Sequence, residues 1–357
     1  MELVLTHPYK NTDWGKQWKA NLHTHTKYTV INGTKYGSDG VFTQAEVIDA
    51  YHDNDYDILA ITDHSTNSPN PTYPWTVFSR DPETLGMLAI QAQELSYGHH
   101  RNSLFCDLGN FTDDVAGSIA EIKSRGGLCI INHPGRYAES DEYYINLFLG
   151  DKKTTIGLEV HNQGNKYPND RQVWDRINAV TIPQRKIVYG YANDDMHEQK
   201  DQFKTYNFIL APELTESAVR TAMENGQTYF CYEIGDSNGG SGEAKAPRIS
   251  NIVVDETAKT VTVTADSGTI SWVTEGTIEV GTGTTFDYTD FDKSFFRAVI
   301  TNEFGITYTQ PFAFAPPIDG FIYDGNDWII PTAKVYDGER WVEATTKIYD
   351  GGNWVEV

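Results

Sequence analysis

The stretch WKANLHTH, residues 18–25, joins a short strand-like run to a His-x-His ending. Side chains at positions i and i+2 of a strand project to the same side, so His23 and His25 are expected to point together, as a pair of metal ligands must. One such pair is a weak signal, because histidine pairs also occur by chance on protein surfaces. It becomes informative because the same arrangement, a strand that ends in histidines or carboxylates, recurs along the chain.

Further strand candidates follow at intervals, and most of them are continuous apolar runs, as expected for buried parallel strands. They span residues 56–63, 85–93, 102–108, 127–132, 156–162, 186–193 and 205–211. Helix-like segments lie between them. Thr43 and Glu46 form a capping-box pattern at the start of one, and Gly126-Gly127 ends another. This alternation predicts an α/β fold with a parallel sheet or a barrel.

Polar residues lie at or just beyond the ends of these strands. They are Thr62-Asp63-His64, Glu94, His99-His100, Asn132-His133-Pro134 and Asp195-Met196-His197. In closed α/β barrels the C-terminal edge of the strands carries the active site. A single histidine at a strand end is usually a structural residue, but the joint pattern over several strands favours a functional site.

The sequence changes character after residue 235. A Gly/Ser-rich linker leads into residues 245–316, where β-branched residues alternate and predict a small antiparallel sandwich. Residues 317–357 contain IYDGNDW, VYDGERW and IYDGGNW, and the Asp-Gly of each unit favours a tight hairpin turn. We therefore predict three parts: an α/β domain at 1–235, a sandwich at 245–316 and hairpin repeats at 317–357, the last suited to self-association or surface attachment.

Composition limits the classes of function. The 357 residues include 50 acidic and 28 basic side chains, a formal charge of −22, which disfavours nonspecific binding to nucleic acid. The cysteines, Cys106, Cys129 and Cys231, lie in apolar runs and are expected to be buried free thiols. The N-terminus has no apolar signal-peptide core, and no run is long enough to span a membrane, so a cytoplasmic location is expected.

The candidate ligands combine imidazoles with carboxylates, a set that suits Zn, Mn or Fe better than Mg or Ca. Their number exceeds the needs of one tetrahedral ion, which indicates two or three divalent ions bridged by a carboxylate. His99 and His100 compete for one ligand position. His7, His52 and His161 lie away from the pattern and are expected to be structural.

The ordered motif series over about residues 15–235 resembles that of the PHP (polymerase and histidinol phosphatase) superfamily. The resemblance implies a distorted (β/α)7 barrel and a trinuclear metal centre that hydrolyses a phosphate mono- or diester with a metal-activated hydroxide. It implies three ion sites: His23, His25, Glu94 and Asp195; Glu94 as a bridge with His100 and His133; and His64 with His197. Asp39, in Ser38-Asp39-Gly40, is either a ligand of the third ion or a turn residue.

Other residues are candidates for roles around the ions. Asp63 is expected to orient a ligand imidazole, and Arg136 to bind the phosphate of a small phosphorylated substrate through its two-pronged guanidinium. Arg101 is a second candidate for the phosphate contact. Glu159, near a strand end, is interpreted as a supporting residue and is left out of the ligand set.

Two other functions fit parts of the sequence. The same metal chemistry hydrolyses C–N bonds in the similar amidohydrolases, although no lysine here occupies the bridging position that many of them use. Alternatively, the barrel is a non-catalytic part of an attachment or structural protein that acts through its aromatic repeats. The apparently complete ligand set argues against the second interpretation.

Overall fold

The computed structural model describes residues 4–109, 114–234 and 245–315, together with six short strands between residues 322 and 356. Most of the predicted Gly/Ser-rich linker and the Asp-Gly turns of the repeats lie outside the described residues. Residues Leu5–Phe314 form one compact unit, and the six short strands belong to a second. The predicted division at 1–235, 245–316 and 317–357 remains a prediction.

The described N-terminal part contains thirteen strands, and nine of them overlap the runs predicted from the sequence; the first strand, the pair within residues 27–39 and the last strand were not predicted. The strands are β1 (Val4–Thr6), β2 (Trp18–Asn21), β3 (Lys27–Ile31), β4 (Thr34–Asp39), β5 (Ile58–Ala60), β6 (Leu88–Ile90), β7 (Ala92–Leu95), β8 (Arg101–Leu104), β9 (Leu128–Ile131), β10 (Thr155–Asn162), β11 (Tyr189–Asn193), β12 (Thr205–Ile209) and β13 (Thr228–Glu233).

The described N-terminal part contains six α-helices, and the predicted start after Thr43 and the predicted end at Gly126-Gly127 are both present. The helices are α1 (Gln44–His52), α2 (Pro82–Leu85), α3 (Val115–Ser124), α4 (Asp141–Gly150), α5 (Asp170–Thr181) and α6 (Glu216–Glu224). Thr43 caps α1, and its capping box with Glu46 is present. Gly126 follows α3 with a φ of 71°, a left-handed conformation that glycine adopts without steric cost.

Two large sheets carry most of the N-terminal strands, while β3 and β4 form a separate two-stranded sheet. One large sheet contains the order β13-β12-β2-β5-β6, and the other has the order β11-β10-β9-β8-β7. Strands β2, β5 and β6 are parallel, as are β9, β10 and β11. The expectation of parallel strands is wrong for β12, which is antiparallel to β2 and β13, and for β8, which is antiparallel to β7 and β9. The loop between β7 and β8 is only residues 96–100, whereas a parallel crossover needs about a dozen.

Strand pairing does not close these two sheets into a barrel in the part of the chain that the structure describes. The sheets meet instead at isolated bridges, which pair Thr24 with Met196 and His64 with Glu94. Both bridges lie just beyond strand ends. The mixed α/β class is confirmed, and the bridges bring the polar ends of β2, β5, β7 and β11 to one place.

Apolar side chains fill the space between the sheets. One cluster of buried residues includes Leu22, Ile58, Ile130, Tyr191 and Ile209, contributed by or next to five different strands. At about 25 cal/mol per Å² of buried apolar surface, this contact is the main stabilising term of the fold. The three cysteines are buried free thiols, as predicted.

The segment after the linker is all β and continues the first sheet. Its strands are β14 (Ile249–Asp255), β15 (Thr260–Ala265), β16 (Thr269–Val273), β17 (Glu279–Thr282), β18 (Thr285–Asp287), β19 (Phe295–Thr301), β20 (Gly305–Thr309) and β21 (Phe312–Ala315). Strand β20 pairs antiparallel with β13, while β14, β15 and β18 form a separate sheet. A buried ion pair between Arg297 and Asp175 of α5 joins this segment to the α/β part.

Each repeat at the C-terminus contains a pair of short antiparallel strands. The strands are β22 (Ile322–Tyr323), β23 (Trp328–Ile329), β24 (Lys334–Tyr336), β25 (Trp341–Glu343), β26 (Lys347–Tyr349) and β27 (Trp354–Glu356). In every pair the tyrosine of one strand is opposite the tryptophan of the other. Among the described residues, no helix combines the length and apolar character needed to cross a membrane.

Candidate metal centre

The His-x-His ending of the first quoted stretch lies directly after β2, and both imidazoles are fully buried. Their Nε2 atoms are 3.1 Å apart. The carboxylate of Asp195, which follows β11, lies 3.2 Å from His23 Nε2 and 3.0 Å from His25 Nε2. These three side chains point at a common position, as the period-two geometry of a strand predicts.

Glu94, at the end of β7, lies at the middle of the cluster and is fully buried. Its Oε1 is 3.4 Å from His23 Nε2 and 3.3 Å from His133 Nε2. The same oxygen is 2.9 Å from His100 Nδ1. Its Oε2 is 2.8 Å from His64 Nδ1. One carboxylate therefore faces imidazoles on both of its oxygens, the arrangement expected of a bridging ligand.

Asp39 reaches the cluster by way of a hairpin. Strands β3 and β4 pair antiparallel, and the turn residues Asn32 and Gly33 have φ values of 51° and 82°, which a type I′ turn requires. The hairpin returns the chain to the strand ends, where Asp39 Oδ1 lies 3.6 Å from His64 Nε2 and 3.5 Å from His197 Nε2. The hairpin thus brings Asp39 close to His25, from which it is separated along the sequence.

All nine candidate ligands from the sequence fall into four overlapping groups of donor atoms, each within 4.8 Å. The groups are His23, His25 and Asp195; His23, Glu94 and His133; His64, Glu94 and His100; and His25, Asp39, His64 and His197. They largely follow the three ion sites that the family resemblance implies. The grouping differs in placing His25 also with the Asp39 set and His64 also beside Glu94.

Exposure increases from one side of the cluster to the other. The side chain of His23 is fully buried, that of His197 is 27% exposed, and that of Asp39 is 50% exposed. The inner groups therefore lie in a low-dielectric environment, whereas the Asp39 group opens toward solvent.

A buried carboxylate supports the inner imidazoles from behind. Glu159, on β10, accepts a hydrogen bond from His23 Nδ1 at 2.8 Å and another from the backbone N–H of His133 at 2.9 Å. Asn162 and Asn193 also donate to it. A histidine that donates from Nδ1 presents the lone pair of Nε2, so Glu159 fixes the tautomer that a metal ion needs.

Asp63 is connected to His25 through Ser38. The Ser38 hydroxyl donates to Asp63 Oδ1 at 3.0 Å and lies 3.3 Å from His25 Nδ1. Asp63 also accepts from the backbone N–H and hydroxyl of Thr26 at 2.6 and 2.7 Å and from the hydroxyl of Thr72. The sequence pointed to Asp63 but missed Ser38, although Ser38 immediately precedes the candidate ligand Asp39.

Two of the candidate ligands have left-handed backbone conformations. His133 has a φ of 27° and Asp195 a φ of 44°. Such conformations cost on the order of 1–3 kcal/mol for a non-glycine residue, and they persist where the surrounding structure enforces them. Here the backbone N–H of Asp195 donates to the carbonyl of His23 and that of His133 to Glu159.

Proton affinities within the cluster are strongly perturbed. Burial, together with the nearby imidazoles of His64 and His197, lowers the pKa of His25 to about 3. Burial alone would raise the pKa of Glu94, but the surrounding imidazoles hold it well below its usual range. A neutral His25 and an ionised Glu94 are the protonation states in which these groups bind metal ions. Burial alone would lower the pKa of His64, but Glu94 and Asp39 outweigh it and raise that pKa to about 10, so a metal ion there would displace a proton.

Divalent cations fit this donor set. Glu94 Oε2 is buried and accepts no well-aligned hydrogen bond from the described residues, although His64 Nδ1 lies 2.8 Å away. Closely spaced imidazole nitrogens and carboxylate oxygens offer mainly lone pairs to the space between them. A buried polar atom without a partner costs about 1–3 kcal/mol, which coordination of a cation would offset.

A cavity of about 480 Å³ opens beside the cluster. Arg136 lines it, as expected of a phosphate-binding residue, together with Gln163, Lys166 and Tyr167, which sequence reasoning missed. Arg101 is not positioned as predicted for a phosphate contact: it is fully buried and donates to the carbonyls of Tyr97 and His99.

The remaining histidines have structural contacts. His99 Nε2 lies 2.8 Å from the Tyr144 hydroxyl, which leaves His100 as the member of the pair in the cluster. His161 is stacked on Tyr232, His52 pairs with Asp53 on the surface, and His7 lies against Phe312. None of His7, His52, His99 and His161 belongs to a donor group.

No protein-family model and no curated protein matches the chain. The chain is similar to a solved structure from Bacteroides vulgatus, which is described as a two-domain protein containing a predicted PHP-like metal-dependent phosphoesterase. The two structures have a TM-score of 0.53 and 17% sequence identity, and the match covers 87% of this chain and 98% of that chain. The likeness shows that the two chains share a fold over most of their lengths, in agreement with the resemblance of the motif series.

Two other solved structures have lower TM-scores. An amidohydrolase from Chromobacterium violaceum, with bound sulfate and no metal, has a TM-score of 0.36 and 16% identity and covers 50% of this chain and 87% of that chain. PsfC from Pseudomonas syringae has a TM-score of 0.43 and 12% identity and covers 62% of this chain and 94% of that chain.

Proposed function

We propose that the chain is a metal-dependent phosphoesterase that hydrolyses a small phosphate mono- or diester at a centre of two or three divalent ions. The observation that carries this proposal is the convergence of nine histidine and carboxylate side chains, from distant parts of the sequence, into four donor groups that share members. Shared members imply neighbouring ions. The donor set favours Zn, Mn or Fe over Mg.

The finer architecture is part of the same proposal. Residues 1–235 would correspond to a distorted (β/α)7 barrel, 245–316 to an accessory sandwich and 317–357 to repeats for self-association or attachment. The ion sites would be formed by His23, His25 and Asp195 on one side, His100 and His133 on another, and Asp39, His64 and His197 at the open side. Glu94 would be shared by the first two sites.

The ions, when bound, would lower the pKa of a coordinated water from about 15.7 toward ~7 and neutralise charge on the phosphate. The protein's own residues prepare this site. Glu159 holds His23 in the required tautomer, and Asp63 orients His25 through Ser38. Both carboxylates are buried, so their hydrogen bonds are not weakened by competing water.

Arg136 supports a phosphate substrate. It lies in the short helix Pro134–Arg136, and its backbone N–H donates to the carbonyl of His133 at 3.0 Å. Its side chain lines the cavity beside the donor groups. A guanidinium there suits the bidentate binding of phosphate oxygens, and an uncharged amide substrate would leave that charge without a partner.

The test combines metal content with substrate choice. Full-length protein purified without added metal is analysed by mass spectrometry and assayed with p-nitrophenyl phosphate, bis(p-nitrophenyl) phosphate and p-nitroacetanilide. We expect bound divalent ions and hydrolysis of a phosphate ester but not of the anilide. The double variant His23→Ala, His25→Ala should lose both ions and activity, whereas the control His52→Ala should keep both.

Other outcomes identify the competing functions. Cleavage of the anilide with no phosphatase activity would favour a C–N bond hydrolase. Folded, metal-free protein that cleaves none of the three substrates, even after ions are supplied, would favour an attachment protein with an inactive α/β domain.

A further inference from the structure

The cavity beside the donor groups has a wall that the proposed chemistry does not require. This wall consists of Gln163, Lys166 and Tyr167, from the loop after β10. Arg136 comes from the loop after β9, and together these residues bring two cations to one cavity. The lining of this cavity also includes five carboxylates, so the presence of two cations on its wall calls for an explanation.

Hydrogen bonds fix Lys166 relative to the candidate ligands. Its ammonium group donates to Gln163 Oε1 at 2.5 Å. The amide nitrogen of Gln163 in turn donates to the backbone carbonyl of Asp195 at 2.9 Å. The loop itself is anchored, because His161 Nδ1 donates to the carbonyl of Gly164 and Arg171 donates to Asn165. Lys166 is thus held at the cavity by a short connection to the metal side.

The cavity has a third cation, Lys200, which differs from Lys166 and Arg136 because it has a carboxylate partner within the described part of the chain. Lys200 forms an ion pair with Glu198 on its own turn. In the part of the chain that the structure describes, Arg136 and Lys166 form no ion pair with a carboxylate, and each lies near an aromatic ring instead: Arg136 near Tyr137, and Lys166 near Tyr167. Cations that face a cavity without an acidic partner are available to an anionic ligand.

Tyr167 lies between Lys166 and one candidate ligand. The ring of Tyr167 lies 6.0 Å from that of His133, and Lys166 Nζ lies 5.5 Å from the Tyr167 ring. A phosphate bound at the ligands and Arg136 would therefore have Tyr167 and Lys166 as neighbours in the same cavity. A cavity of about 480 Å³ is within the usual range for small molecules.

We infer that the substrate is a small phosphate ester with a second anionic group, a carboxylate or a further phosphate, and that Lys166 binds this second group. The inference rests on the proposed function, because it places the phosphate to be cleaved at the donor groups. It makes Lys166 a specificity residue, and it assigns Gln163 the role of positioning Lys166.

The test uses metal-loaded, full-length protein and ligands that cannot be hydrolysed. Isothermal titration calorimetry measures methylphosphonate, which has one anionic group, against 3-phosphonopropionate and propane-1,3-bisphosphonate, which have two. We expect at least one doubly anionic ligand to bind about tenfold more tightly than methylphosphonate, the effect of one charge-assisted hydrogen bond. The tighter of the two identifies the second group as a carboxylate or a phosphate.

Variants show whether Lys166 is responsible. Lys166→Met should abolish the preference, whereas Lys123→Met, which removes a lysine of α3 paired with Asp151, should retain it. No preference in the wild type would overturn the inference. An unchanged preference in Lys166→Met would also overturn it, because it would show that the metal ions alone bind both anionic groups of the ligand. Hydrolysis of p-nitrophenyl phosphate, measured in parallel, tests the proposed function separately.

Discussion

The substitution Glu159→Gln tests whether a buried carboxylate behind the cluster prepares it for metal ions. Glu159 Oε1 accepts from His23 Nδ1 at 2.8 Å and Asn193 Nδ2 at 2.9 Å. Its Oε2 accepts from the backbone N–H of His133 and from Asn162 Nδ2, both at 2.9 Å. All four partners are donors, and glutamine has the same shape but only one oxygen.

Whichever way the glutamine amide is oriented, its NH₂ group faces two donors. In one orientation His23 loses its acceptor, which favours the tautomer with the proton on Nε2 and removes a lone pair from the centre. In the other, the backbone N–H of His133 is left without a partner. Loss of such supporting contacts typically weakens metal binding by about 10–100-fold, which corresponds to about 1.4–2.7 kcal/mol.

The assay is a competition titration with a chromophoric chelator, which gives the dissociation constant for zinc or manganese. Melting curves with and without metal should show a smaller metal-induced increase in the variant. The matched control is Glu233→Gln, because the Glu233 carboxylate accepts from the Tyr206 hydroxyl and belongs to no donor group. Equal metal affinity in Glu159→Gln and wild type would refute the reasoning.

Three further predictions concern stability and the open side of the cluster. Arg297→Met should lower the free energy of unfolding by about 3–5 kcal/mol in urea denaturation, because buried Asp175 loses its ion pair; a loss no larger than that of the more exposed Arg220→Gln would contradict this. Burial raises the pKa of Asp170 to about 8. The unfolded chain therefore releases this proton at a lower pH than the folded chain, and the stability of the wild type falls as pH rises from about 4 to about 8. Asp170→Asn should therefore increase the melting temperature progressively between about pH 4 and pH 8 and not below about pH 4; a pH-independent gain would refute it. Asp39→Ala should remove only the outermost ion, because this carboxylate is 50% exposed at a hairpin end; loss of every ion by mass spectrometry would show that the groups do not act separately.

Much of the candidate site was predictable because its residues follow strands that are evident locally. The buried strands β5 and β9 are short apolar runs, and the residues beyond their ends are the polar exceptions. The capping box at Thr43 was predictable for the same reason, since Thr43 and Glu46 interact within one helical turn. Patterns of this kind depend on residues close together in the sequence.

Other features depend on contacts between distant segments. The direction of β8 could not be predicted from its composition, because it is set by the length of the loop before it and by the neighbours β7 and β9. Arg101 and Arg136 both follow a histidine motif, yet one is buried and the other lines the cavity. Local sequence does not distinguish these environments.

The amino-acid sequence by itself determined which residue types stand at the strand ends, and therefore the chemistry available: imidazoles and carboxylates in an order that resembles one superfamily. The tertiary structure decided which of these atoms share a position, that Glu94 faces imidazoles on both oxygens, and that Lys166 reaches the same cavity. The physical reason is range. Strand period and turn preference act over a few residues, whereas distances between strand ends are set by how the whole chain packs.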